Sequence, residues 1–332
     1  MMRRAAVLSG LGLLAVGVLA GAPFVGIHPV PLRALWDGEQ TLAAKIFWQL
    51  RLPRVVMGML AGAGLAASGL VFQAMFRNPL ATPFTLGVAS GASLGASIYI
   101  HLRLAFSFLA IPGGTWFAFG GALTAILLVY GLTRMRRDFS AATLLLAGVA
   151  ISFCLSSLIL FLQYLSDFTR TYRMLRWVMG GLDNVVGFSD VARVLPFVLA
   201  GTVVVVALRH ELNLITTGEE LATARGMAVA RVKMILFFAA SLMVGAVVAV
   251  CGPIGFVGLV APHICRLLVG PDHRVLTPAT LLMGAAFLAF CDTLARTLMA
   301  PTELPVGILT ALLGGPFFLW LLLGRGPAAA GP

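Results

Sequence analysis

Apolar residues fill the chain in long unbroken runs, and short polar stretches separate the runs instead of alternating with them. Such runs occupy residues 5–27, 114–132, 141–165, 191–208, 235–251, 277–298 and 307–323. Two more helices are expected, one opening at Arg51-Leu52-Pro53-Arg54 and one covering residues 86–101. Most approach the ~20 residues that an α-helix needs to cross a bilayer. A chain in lipid must satisfy its backbone polar groups internally, so runs of this kind predict helices. The expectation is an all-α polytopic membrane protein of about ten spans, built as a single transmembrane domain over residues 1–332 with both termini cytoplasmic.

Proline and glycine punctuate this pattern. The small-residue span that begins at Arg51 should end at Arg77-Asn78-Pro79, and Pro83 precedes a stretch with Gly87, Gly91 and Gly95 at GxxxG spacing. A second small-residue span ends at Gly252-Pro253, and Gly255, Gly258 and Pro262 are expected to keep the next segment short and irregular, with residues 263–274 inside. The two passages, 58–83 and 244–262, echo one another across about five spans, which predicts inverted-repeat halves. Residues 1–23 carry Arg3 and Arg4 before an apolar run that ends in small residues, as a cleavable signal does. The run extends far enough to span, and it is read as a retained first helix. Residues 27–50 are expected as an outer loop and residues 166–190 as a long outer segment rich in arginine.

The longest polar interval is residues 216–233, TTGEELATARGMAVARVK. Thr217 and Glu220 have the spacing of a capping box. Glu219 and Glu220 suit the positive end of a helix and Arg225 its negative end. Gly226 supplies a left-handed stop. A helix of about two turns is not stable alone in water, so this one should pack into a partner on the cytoplasmic side.

Composition agrees with the pattern. Of 332 residues 60% are hydrophobic and 11% charged, and mean hydropathy is +1.01. Soluble domains carry about 25% charged residues. The net charge of +11 lies in short loops between spans, where topogenic and docking roles explain it better than nucleic acid does. Arg134, Arg136, Arg137 and Arg325 mark the inside, yet basic residues divide almost evenly between the two sides, so the outer arginines call for a purpose of their own. The four cysteines sit in apolar runs and are expected buried and unpaired.

Candidate chemistry within the spans is sparse. Asp292 and Arg296, four apart on one helix face, should pair. Gln73 and Gln163 suit either a path lining or helix-to-helix bonds. His263 and Cys265 lack the further ligands a metal needs. No GxxxxGK[ST] loop occurs, so ATP is not bound here in that way. An ion-driven secondary transporter would need intramembrane carboxylates, and Asp292 is the only candidate. A membrane enzyme would need clustered catalytic groups, whereas the five histidines are scattered.

Several stretches resemble the FecCD-type permeases, the membrane subunits of ABC importers for ferric siderophores, haem and cobalamin. They are RLPR (51–54), GLVFQAMFRNPLATPFTLGVASGASLGA (69–96), LLLAGVA (144–150), GEELATARGM (218–227), GPIGFVGLVAPHICRLLVGPDHRVLTP (252–278) and DTLARTLMAPTELPVGILTALLGGPFFLWLL (292–322). The resemblance implies a homodimer in a bacterial-type inner membrane, two cytoplasmic ABC ATPase subunits that hold ATP and Mg²⁺, and an extracytoplasmic substrate-binding protein. It implies that Thr217, Gly218, Glu219, Glu220, Leu221, Ala222, Ala224, Arg225 and Gly226 form the coupling helix. It implies that Arg51, Arg54 and Arg296 meet acidic residues of the binding protein. Ser140, Ala141, Ala142 and Thr143 correspond to the inner gate, and Gly87, Ser90 and Gly91 suit a pathway-facing strip or a close-packing one. The path is expected between the two copies, along the fifth and tenth helices. This chain would bind no cofactor of its own, and the motifs leave the cargo open among siderophore, haem and cobalamin.

Overall fold

A computed structural model describes residues 2–36, 41–135, 140–185 and 187–324. Arg136, Arg137 and Arg325, expected on the cytoplasmic side, lie outside the described residues. The chain runs through α1 (Met2–Gly21), α2 (Leu42–Lys45), α3 (Leu52–Phe76), α4 (Val88–His101), α5 (Gly113–Met135) and α6 (Ala141–Tyr164). It continues through α7 (Phe168–Val178), α8 (Phe188–Ala207), α9 (Arg209–Thr217), α10 (Glu219–Ala224) and α11 (Val229–Cys251), then α12 (Val257–Val269), α13 (His273–Thr297) and α14 (Val306–Gly324). Seven helical stretches among the described residues are long and apolar enough to cross a membrane. The shorter α4, α12 and α14 complete the bundle.

α3 is the central helix, packed against α13, α11, α12 and α8. Its glycines set the distances. A Cβ on Gly62 would lie 2.1 Å from the Gly284 carbonyl oxygen of α13, and one on Gly69 would lie 1.9 Å from that of Gly258 in α12. Only bare backbone fits at these crossings. Ser68 links the same helix to α11 by donating to the Ala240 carbonyl at 3.1 Å.

Two short helices pack in a similar way. α4 lies against α5 as α12 lies against α13. Each short helix follows a residue in the left-handed region, Gly87 (φ 78°) before α4 and Phe256 (φ 65°) before α12. Gly91 and Gly95 are close-packing positions, since their Cβ atoms would strike the Gly121 and Phe117 carbonyl oxygens of α5. Gly87 faces Ile151 and Gly148 of α6, and Ser90 is half-buried.

Several expectations need correction. The second span does not open at Arg51: a π-helical turn (Ile46–Arg51) joins α2 to α3, giving one helical stretch from Leu42 to Phe76. The wider turn accommodates Pro53, which lacks an N–H to donate. The segment 166–190, given no element in the sequence, contains α7, an amphipathic helix capped by Asp167. The segment after Gly252-Pro253 is short, as expected, but it is a regular helix, α12. His263 is buried within α12, and Pro262 does not stop that helix. The Gly258 carbonyl, which Pro262 has no N–H to serve, accepts a bond from Gln73 Nε2 at 3.2 Å, and Gln73 Oε1 accepts from Arg266 at 3.0 Å. Three cysteines are buried as expected, but Cys154 is exposed on α6.

The packing generates a test. Gly62→Val should cost about 1–3 kcal/mol through overpacking, seen as a lower unfolding midpoint in detergent. Gly120→Ala, where a Cβ meets nothing within 4 Å, should leave the midpoint unchanged.

Candidate functional site

Two polar clusters stand at opposite ends of the α3–α13 pair. At one end α9 and α10 cross beneath the bundle. α9 buries Leu212 and Ile215, and Asn213 fastens it to the start of α13. Asn213 Nδ2 donates to Asp272 Oδ1 at 2.8 Å, while Asn213 Oδ1 accepts from the His273 backbone N–H at 2.9 Å. Asp272 also caps α13 by accepting from the Arg274 N–H. That bond, with the one from Asn213, holds the Asp272 carboxyl below the usual carboxylate range.

α10 follows after a single residue. The expected capping box does not form: Thr217 is the last residue of α9, and its hydroxyl donates to the Leu214 carbonyl. Gly218 takes the N-cap with φ +133° and no side-chain cap. A threonine whose backbone is already helical cannot also hold the extended geometry of an N-cap. The expected stop does form. Gly226 is left-handed at φ 83°, its N–H donates to Thr223, and the Met227 N–H donates to Ala222, which together close a Schellman turn. Arg225 sits at the C-cap. Ala222 is fully buried, whereas Glu220, Leu221, Ala224 and Arg225 are exposed. Glu219 points the other way, its Oε1 2.6 Å from Lys233 Nζ of α11.

At the opposite end three arginines converge, and all are turned into the chain. Arg51 is 8% exposed and donates to the carbonyls of Pro23, Phe24 and His28, stapling the turn after α1 to the head of α3. Gly26 makes room for it, since a Cβ there would lie 2.5 Å from the guanidinium. Arg54 grips the buried Asp292 carboxylate through Nε and a terminal nitrogen at 2.9–3.2 Å and reaches Glu303 at 2.7 Å. Arg296 is 5% exposed and lies 3.3 Å from Asp292. The expected Asp292–Arg296 pair therefore exists, but Arg54 makes the shorter, bidentate contact. Of the three arginines expected to meet a binding protein, Arg51 and Arg296 are buried, Arg51 against backbone carbonyls and Arg296 against Asp292. An open cleft of about 300 Å³ remains beside them, lined by Arg51, Arg54, Arg296, Asp183 and Glu303.

Of the other expected positions, Ser140 caps α6 by accepting from the Thr143 N–H at 3.2 Å. Ala141 and Thr143 are half-buried and Ala142 is exposed. Four residues of α6 are buried, Leu144, Gly148, Ile151 and Ile159, and half of the helix is exposed, mostly through apolar side chains. His263 packs between Phe317 and Phe318. Lys233, Asn213 and Glu303 escaped the sequence reading. For Lys233 there was a signal, a lone cation immediately before the run at 235–251.

Comparison with known proteins adds the following. The model of the FecCD transport family matches residues 11–324. The chain is 43% identical to the cobalamin import system permease BtuC of Halobacterium salinarum, over 93% of this chain and 81% of that one. It is 38% identical to the hemin transport system permease HmuU of Yersinia pestis, over 95% and 94%. A solved metal-chelate type ABC transporter in an inward-facing conformation superposes with a TM-score of 0.87 at 31% identity, covering 97% of this chain and 100% of that one.

The arginine cluster makes a prediction of its own. Asp292→Asn leaves two buried guanidiniums facing each other and should cost about 3–5 kcal/mol. Glu303→Gln, at the exposed side of Arg54, should cost about 0–1 kcal/mol. Unfolding midpoints of the two variants in one detergent give the comparison.

Proposed function

The chain belongs to the FecCD transport family and is a permease subunit of an ABC importer, and from that premise we propose how it works. Two copies pair along the uncovered faces of α6 and α14 and enclose the translocation path between them. Two cytoplasmic ABC ATPases attach at α10 and hydrolyse ATP, for which this chain has no phosphate-binding loop. An extracytoplasmic binding protein delivers the cargo at the arginine end. Both chain termini are cytoplasmic, which places α10 inside and the Arg54 cleft outside.

The observation that carries this reading is α10 itself. It is a six-residue helix held between left-handed or extended glycines, with Ala222 buried and Glu220, Leu221, Ala224 and Arg225 turned outward. A helix so short gains little from its own hydrogen bonds, and its outward face offers a charged and apolar surface to a groove. At the other end Arg54 is the docking residue best supported, because its partner Glu303 is half-exposed and can yield to a carboxylate of the binding protein. Ser140–Thr143 at the head of α6 form the inner constriction, small and lightly polar.

The cargo is proposed as a bulky metal chelate, with the metal as part of the substrate. The relatives named for cobalamin, hemin and metal chelates support that class, and an iron chelate ranks first within it. An ion-driven mechanism is disfavoured by Asp292, which is clamped between two guanidiniums and so is poorly placed to carry a coupling proton.

Reconstitution in proteoliposomes with the cognate ATPase and binding protein tests the reading. Glu220→Arg should lower uptake by at least about tenfold while the variant still folds and inserts. Uptake equal to the parent would remove α10 from the coupling role.

A further inference from the structure

Lys233 is one of only two lysines in the chain, and it lies at the second turn of α11 with its side chain 2% exposed. Its neighbours Val232, Leu236 and Phe237 belong to the apolar core. A bare ammonium in such a place is costly unless a counter-charge meets it. The counter-charge is Glu219 Oε1 at 2.6 Å, on the first residue of α10. Among the described residues the ammonium makes no hydrogen bond of good geometry, so the contact acts mainly through charge. Glu219 itself is 37% exposed. A dry, fixed cation thus reaches out to a carboxylate at the rim of the bundle.

We propose that Lys233 is a positioning residue for coupling: it fastens the leading end of α10 to α11 through Glu219. The inference rests on the reading of α10 as the ATPase contact. The mechanical argument is direct. Gly218 and Gly226 flank α10, and in both glycines the missing Cβ has open space around it. Two glycine joints would let a short helix swivel under load without moving the bundle. An ion pair from the first residue of α10 to α11 bridges the second joint and removes that freedom, so a push on Glu220, Leu221 or Arg225 passes into α11. That helix packs directly on α3, α8 and α5. Glu219 and Glu220, alike in sequence, therefore have different tasks: Glu220 faces the partner and Glu219 holds the helix. Lysine suits this place as a compact charge on a flexible stem, where the planar fork of arginine would demand more partners.

The test uses the whole importer in proteoliposomes and three variants, Lys233→Met, Glu219→Gln and the two combined. The readouts are cargo moved per ATP hydrolysed, ATPase retained on the permease, and unfolding midpoint. Each single variant should keep the ATPase attached yet lower the transport-to-hydrolysis ratio by about tenfold. The combined variant removes the buried charge, so its midpoint should recover relative to Lys233→Met while the ratio stays low. A combined variant with the parental ratio would overturn the proposal, since the pair would then serve only to neutralise a buried charge. Glu220→Arg separates the two layers of the argument. If that variant alone loses the ATPase and the three others transport normally, the positioning role falls and the coupling helix stands. If it too has no effect, the reading of α10 falls with it.

Discussion

Everything in this bundle depends on how closely other backbones can approach α3. In lipid, apolar side chains gain little by leaving the solvent, so helices associate through tight packing and hydrogen bonds from polar side chains. Gly62 against Gly284 and Gly69 against Gly258 supply that closeness. With α12 and α13 drawn so near, a single glutamine side chain can satisfy the carbonyl freed by Pro262. The short helices α4 and α12 then sit as inserts between longer ones. Both begin at a residue in the left-handed region, Gly87 and Phe256.

The same pair of helices carries polar clusters at both ends. α13 begins at the clasp of Asn213, Asp272 and His273, which ties it to α9 and so to α10. It ends at Asp292, held by Arg54 of α3 and by Arg296. A rigid helix bonded at one end to the coupling segment and at the other to the arginine cleft connects the two places where partners are proposed to bind. Three of the arginines that looked like surplus, Arg51, Arg54 and Arg296, are taken up in this packing. Arg51 staples a turn, Arg296 shares a buried carboxylate, and Arg54, alone of these three, keeps a partner that solvent can reach.

Much of this was legible in the residues. The long apolar runs fixed where helices lie, since in a membrane the backbone has few alternatives. Gly226 stopped its helix as its type and position implied. What was not legible depended on tertiary context. The π turn before Pro53 depends on how α2 meets α3, and no residue type announces it. α7 was hidden because an arginine-rich stretch with scattered aromatics reads as loop unless its amphipathic period is counted. Thr217 matched a capping box by spacing alone, but α9 had already claimed its backbone. The inward turn of Arg51 needed the carbonyls of a turn that lies 23 to 28 residues earlier in the chain.

The central claim is that this chain works through a partner that supplies the ATP chemistry. The most direct measurement is purification of the chain from its native membrane in mild detergent, followed by mass spectrometry of the intact assembly. The account predicts a complex of two permease chains and two copies of a protein carrying a GxxxxGK[ST] loop. A chain that emerges alone and moves its cargo on an ion gradient would contradict it.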